Sequence, residues 1–273
     1  MARIAERFAR GEKTLLGVVH LLALRGSPRS GRPEQVLSAA LFDAEALVAG
    51  GLDGFVVENF GDAPFFGDQV PPSTIAEMTA LVERLRGAVG ADVIVGVNVL
   101  RNDARAALAI AAATGADFIR VNVHSGVMHT DQGTLAGRAA ETMRERRQLG
   151  ADVDVVADVG VKHALPPSGF ELRQAAKDTA YRGLADALIV TGTGTGSAAD
   201  ERDLRAVKAA VPDRPLLVGS GVTADSAGAA GALSDGVIVG TWVKRGGNVS
   251  APVDAERVKR LVAAARGGVK TAG

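Results

Sequence analysis

Cysteine is missing from the 273-residue chain. Disulfides, thiolate metal sites and cysteine nucleophiles are therefore excluded, and the chain fits a reducing, cytoplasmic setting. Net charge is missing too, because 31 Lys and Arg residues balance 31 Asp and Glu residues. Without an excess of positive charge, no nucleic-acid partner is expected. No apolar run approaches the roughly 20 residues of a membrane-spanning helix. Residues 1–13 carry Arg3, Arg7, Arg10 and Lys13 but no long apolar stretch, so they do not read as a secretory signal. They read as a helical extension that closes one end of the domain, or else as a peripheral contact to a membrane surface through their basic side. Aromatic residues make up only 4% of the chain.

What is plentiful is aliphatic bulk and glycine. The chain is 47% hydrophobic and has 34 glycines, which suits a large core joined by tight turns. Short apolar runs alternate with longer amphipathic ones. Strands are predicted over 15–21, 54–60, 93–100, 118–124, 154–160, 187–192, 215–221 and 236–241. Helices are predicted over 34–49, 73–87, 103–114, 137–149, 170–183, 200–210, 224–232 and 254–266. Eight strands each followed by a helix predict a (βα)8 TIM barrel spanning residues 1–273 as one domain; an open doubly wound sheet is the alternative. A fourfold echo supports closure. Asp53, Asp117, Asp186 and Asp235 each sit just after a glycine-marked or serine-marked helix end and just before an even-numbered strand.

Loop lengths indicate the working end. Connections from helix to strand are short, whereas several from strand to helix are long, notably 22–33, 61–72 and 125–136. Long loops gathered at the carboxyl ends of barrel strands carry function. The stretch Phe118-Ile119-Arg120-Val121-Asn122-Val123-His124 ends an apolar strand in polar chemistry. The two-residue period of a strand puts Arg120, Asn122 and His124 on one face. Other strand ends deliver His20, Glu58, Asn98 and Asp158.

Glycine marks the expected anion site. Gly219-Ser220-Gly221-Val222-Thr223 ends the seventh strand and Gly240-Thr241 the eighth. Turns without side chains expose backbone N–H groups, and a following helix N-terminus adds positive potential. Ser220, Gly221, Val222, Gly240 and Thr241 are therefore predicted to hold a phosphate; the alternative is that the glycines only make tight turns. Gly192 and Thr193, in the run Thr191-Gly192-Thr193-Gly194, are expected to face the ligand, although the run lacks a Walker lysine. Asp158, His20 and His124 are the predicted proton-transfer residues, with Lys162 offsetting charge. Glu58, Asn98, Arg101, Arg120 and Asn122 are expected to orient the ligand. His20, Glu58, His124 and Asp158 can alternatively be read as ligands of a divalent metal. His129, Asp131 and Gln132 mark a possible lid. Asp103 reads as a helix N-cap.

At these same residues the chain resembles the BtpA family, which includes SgcQ-like proteins. The resemblance rests on Val57-Glu58-Asn59-Phe60-Gly61-Asp62-Ala63-Pro64 and Gly96-Val97-Asn98-Val99-Leu100-Arg101-Asn102-Asp103. It continues in Gly17-Val18-Val19-His20-Leu21-Leu22, Ile119-Arg120-Val121-Asn122-Val123-His124, Thr130-Asp131-Gln132-Gly133 and Val161-Lys162-His163-Ala164. One departure is Val159-Gly160, where a second polar residue is usual. The resemblance implies a phosphate-binding TIM-barrel fold. It also implies links to photosystem I assembly for some members, and to sugar metabolism or an unproved nucleoside triphosphatase activity for others. The expectation is an enzyme of lyase, isomerase or glycosyl-transfer type on a small phosphorylated metabolite, and a homo-oligomer, as is common for barrels. The alternatives are a non-catalytic assembly factor or a metabolite-sensing barrel.

Overall fold

The computed structural model describes residues 4–161, 163–192, 194 and 198–267. In chain order the elements are α1 (Ile4–Ala9), β1 (Thr14–His20), α2 (Pro33–Ala49), β2 (Gly54–Glu58), α3 (Pro72–Ala88), β3 (Ile94–Asn98), α4 (Ala104–Thr114) and β4 (Phe118–Val121). There follow β5 (Val127–Thr130), β6 (Gly133–Ala136), α5 (Ala139–Gln148), β7 (Asp154–Asp158), β8 (Ala164–Leu165), α6 (Leu172–Lys177), β9 (Ala187–Thr191), α7 (Glu201–Ala210), β10 (Leu216–Gly219), α8 (Ala224–Leu233), β11 (Gly236–Val239) and α9 (Ala255–Gly267). Eight parallel strands close in the order β1-β11-β10-β9-β7-β4-β3-β2. The barrel is therefore real, and the open sheet is excluded. Among the described residues no helix is long and apolar enough to cross a membrane.

The barrel interior follows the strand period. Leu16, Val18, Val56, Ile94, Phe118, Val156, Ile189, Leu217 and Ile238 fill it, and Ile4 of α1 packs into the same cluster. The N-terminal helix thus stoppers the lower end, and Arg7, the one basic residue of α1, is spent within the fold. Arg7 pairs with Asp53 at 3.3 Å and Arg10 with Glu12 at 2.7 Å. A second apolar shell lies between strands and helices.

The fourfold aspartate echo has a structural cause. Each aspartate side chain accepts a hydrogen bond from the backbone N–H of the preceding strand: Leu15 to Asp53, Val95 to Asp117, Val155 to Asp186 and Leu216 to Asp235, at 2.7–2.9 Å. Each also meets a cation from a neighbouring helix, namely Arg266, Arg86, Arg146 and Lys208 respectively. One strand-start clamp is repeated four times around the amino-terminal rim.

Three expectations need correction. Most strands stop about two residues short of their predicted carboxyl ends; Asn59, just past β2, spends its side chain on the loop after β3 instead. The segment 125–136 is a hairpin of β5 and β6, joined by β8 into a small antiparallel sheet. The helix predicted over 170–183 is α6 followed by a π-turn over 178–182.

Candidate active site

Above the apolar filling, the next inward-facing layer is polar. Arg120 is 4% exposed and sits at its centre. Nη1 donates to Glu58 Oε1 at 3.0 Å, while Nε and Nη2 meet the Asp158 carboxylate at 3.1–3.3 Å. Burial by itself would lower the affinity of Arg120 for its proton; the two carboxylates outweigh that and raise it. Asn122 Nδ2 donates to Asp158 Oδ2 at 2.8 Å. Asn98 Nδ2 in turn donates to Asn122 Oδ1 at 3.1 Å and to the Arg120 carbonyl at 2.9 Å.

The two carboxylates end up in different conditions. Both Asp158 oxygens are taken up by Arg120 and Asn122. Glu58 has only Oε1 engaged by Arg120, and its Oε2 lies 4.0 Å from His20 Nε2. The His20 ring leans on Phe60 at 4.6 Å. Arg101 is 5% exposed. Burial lowers its proton affinity, opposed first by attraction to Asp158; a guanidinium nevertheless stays charged.

Two cavities meet here. The smaller, about 130 Å³, is walled by Ser220, Gly221, Val222, Gly240 and Thr241, and floored by His20, Glu58 and Arg120. Its space comes from glycine. A Cβ on Gly240 would stand 2.9 Å from His20 Cε1, and Gly221 has φ of +67°. Ser220 also takes a left-handed φ of 70°, a strained choice for a side chain with a Cβ. The larger cavity, about 1250 Å³, shares His20 and Glu58 and extends past Arg101, Phe60 and Asp131 to α2. Asp158 and Asn122 instead border a separate cavity of about 470 Å³ beneath β5.

The sequence motifs prove to be braces around this layer. Asn59 ties the loop after β2 to the loop after β3, accepting from Leu100 N at 2.7 Å, and Asp62 accepts from Leu24 N at 2.7 Å. Asn102 exchanges two bonds with the backbone of Val123 at 2.8 and 3.0 Å. Asp103 caps α4 through Ala106 N and also holds Val70 N, both at 2.9 Å. A Cβ on Gly61 would lie 2.3 Å from Ala23 N, so this loop crossing requires glycine.

His20, Glu58, Asn98, Arg101, Arg120, Asn122 and Asp158 thus occupy one basin or its immediate support. His124 does not. The chain leaves β4 at Val121, and the imidazole turns toward the α6 side, its Nε2–H donating to the Gly183 carbonyl at 2.8 Å. Burial lowers its proton affinity. The face shared by Arg120, Asn122 and His124 is therefore corrected to Arg120 and Asn122 alone. The four-residue metal site fails with it, and no three imidazole or carboxylate side chains converge on a metal position among the described residues. Gly192 is buried but lines neither mouth cavity. Lys162 and Thr193 lie outside the described residues. Asp131 borders the large cavity from the β5–β6 turn, while His129 bonds Thr134 within the hairpin.

Sequence reasoning missed Lys244 and Asp43, a buried ion pair at the edge of the large cavity. Asp43 Oδ1 also accepts from Val253 N at 2.7 Å. The pair ties the segment after β11 to α2. Asp43 lies within an amphipathic helix pattern, and no local signal separates it from a surface acid. Thr191 was legible only as part of a glycine-rich run. Its Oγ1 is buried and makes no hydrogen bond among the described residues.

A closed parallel eight-stranded barrel with a polar basin at the carboxyl ends of its strands defines a TIM-barrel protein. A model of the BtpA family matches residues 11–267, and the chain belongs to that family. It is 46% identical to the photosystem I biogenesis protein BtpA of Synechocystis over 258 residues, covering 94% of this chain and 89% of that one. In fold it is similar to thiamine phosphate pyrophosphorylase from Pyrococcus furiosus, with a TM-score of 0.58, 15% identity and coverage of 95% and 99% of the two chains. It is also similar to phosphoribosyl anthranilate isomerase from Thermus thermophilus, with a TM-score of 0.55, 13% identity and coverage of 93% and 99%.

Proposed function

We propose that the chain is an enzyme acting on a small phosphorylated metabolite, of sugar-phosphate or nucleotide-like type, by proton transfer at the barrel mouth. The observation that carries this is the junction of the two cavities at His20 and Glu58. A phosphate in the smaller cavity would accept from the backbone N–H groups of Gly221, Val222, Gly240 and Thr241. The organic part would then extend past Glu58 into the larger cavity. Glu58 suits the proton acceptor, because Arg120 fixes one oxygen and leaves the other toward His20 and the ligand space. His20 is its partner. Asp158 is a positioning residue that holds Arg120, which moves the proton-transfer role from Asp158, where the sequence put it, to Glu58.

Isomerase, lyase and glycosyl-transfer reactions all fit this arrangement. The names of the two fold neighbours refer to phosphorylated compounds, a likeness of fold that lends analogy only. A cytoplasmic setting and assembly into a homo-oligomer belong to the same proposal. The test is a thermal-shift screen against phosphorylated sugars and nucleotides, with and without divalent metals. The expected result is a raised melting temperature with at least one phosphorylated compound, reduced in Gly240→Ala. No shift across the panel would overturn the reading. Binding without any product would make the protein a sensor.

A second reading is favoured by the 46% identity to the Synechocystis protein. It is a non-catalytic role in assembling a membrane complex such as photosystem I. Exposed Leu22, Phe42 and Phe66 offer apolar contacts near the mouth. Recovery of a membrane complex on the purified chain, unchanged by Glu58→Gln and by every phosphorylated ligand, would favour it over the enzyme.

A further inference from the structure

The larger cavity holds more positive charge than its own acids neutralise. Of its cations, Lys244 is taken by Asp43. Of its acids, Glu58 is taken by Arg120. What remains is Arg29, Arg32 and Arg245 against Asp131, since Arg101 is drawn to Asp158 and Glu58. Among the described residues Arg29, Arg32 and Arg245 have no carboxylate within 4.0 Å, although the chain as a whole is neutral. Arg32 precedes α2 and makes no side-chain cap to it. Arg245 lies over the Phe42 ring at 5.8 Å, so its fork is presented beside an apolar wall. Three arginines lining one cavity without a carboxylate partner suit an anion, because the guanidinium fork matches phosphate or carboxylate bidentately.

Size points the same way. About 1250 Å³ exceeds the roughly 300–1,000 Å³ of an ordinary small-molecule pocket. The glycine cradle itself is lined by none of Arg29, Arg32 and Arg245. We infer that the ligand carries a second anionic group, a phosphate at the far end of an extended organic body, held by Arg29, Arg32 and Arg245. This rests on the phosphate reading of the cradle. It narrows the substrate class to compounds with two separated anionic groups, such as sugar bisphosphates.

The experiment is calorimetric titration of the full chain with fructose 6-phosphate and fructose 1,6-bisphosphate at fixed ionic strength. Three variants accompany the wild type: Arg29→Ala/Arg32→Ala, Arg245→Ala and the cradle variant Gly240→Ala. The arginines are exposed, so the first two should fold, which circular dichroism checks. The bisphosphate is expected to bind at least tenfold more tightly than the monophosphate. The arginine variants should erase that advantage while leaving monophosphate affinity within about twofold, and Gly240→Ala should weaken both ligands. Equal affinity for the two ligands, equal losses for both in the arginine variants, or binding of neither ligand overturns the second anion site. Bisphosphate binding that depends on the arginines but not on Gly240 keeps the second site and removes the cradle instead.

Discussion

At the amino-terminal rim, four aspartates repeat one clamp, each joining a strand N–H to a helix cation. At the carboxyl-terminal end, two carboxylates share a single guanidinium, and nothing there repeats. The side-chain chemistry is the same at both ends. What differs is the position of the charge. The lower clamps sit outside the barrel wall, and all but Asp117 keep some contact with water. Arg120, Glu58 and Asp158 lie inside the wall, above a dry core. Repetition marks a part that serves folding, because every βα pair faces the same problem of starting a strand. A buried, unrepeated charge cluster costs desolvation at one place only, and under the proposed function it is kept there for a ligand.

Arg120→Met should produce the largest effect. It leaves two buried carboxylates without the guanidinium they share, and a loss of about 3–5 kcal/mol in denaturant unfolding is expected. A loss near zero would mean that the cluster is not closed as described. Glu58→Gln sharpens the contrast in another way. Its shape is kept and Arg120 retains Asp158, so stability should change little while turnover falls by roughly 10²–10⁴-fold on any substrate found. Asp158→Asn should lose stability as well as turnover, which separates a positioning carboxylate from a proton acceptor. Unchanged turnover in Glu58→Gln would return the proton-transfer role to Asp158.

The lower rim should respond differently. Asp117→Ala strands the Val95 N–H and removes the salt bridge to Arg86, and a loss of about 1–3 kcal/mol is expected with ligand binding intact. The same change at Asp235, which is more exposed, should cost less. A ligand-binding defect in Asp117→Ala would break the division between the two ends. The smallest effect concerns His124. Its proton affinity is lowered in the folded state from the usual 6.5, so below about that pH the unfolded chain takes up a proton that the folded chain refuses. Stability should be full above that pH and decline as pH falls below it. His124→Gln should flatten this part of the pH–stability curve measured by thermal melts.

Much of this was legible in the chain. The eight apolar runs and the four aspartates specify the barrel because hydrophobic period and strand-start clamps are local signals. His20, Glu58, Arg120 and Asp158 were legible as strand-end polar residues. The roles within the cluster were not, because the partners of Asp158 lie 36 and 38 residues away and only closure shows that both of its oxygens are used. His124 misled for the opposite reason. The strand period was extended past Val121, where the backbone leaves the sheet. Lys244 and Asp43 meet across 201 residues and left no pattern to read.

The most direct test compares the backbone amides of the two ends in one experiment. In two-dimensional ¹⁵N spectra, titration with inorganic phosphate should shift the amides of Gly221, Val222, Gly240 and Thr241. Those of Leu15, Val95, Val155 and Leu216, bound to the lower aspartates, should stay still. Shifts confined to the lower rim, or none at the four cradle amides at millimolar phosphate, would contradict an anion site at the barrel mouth.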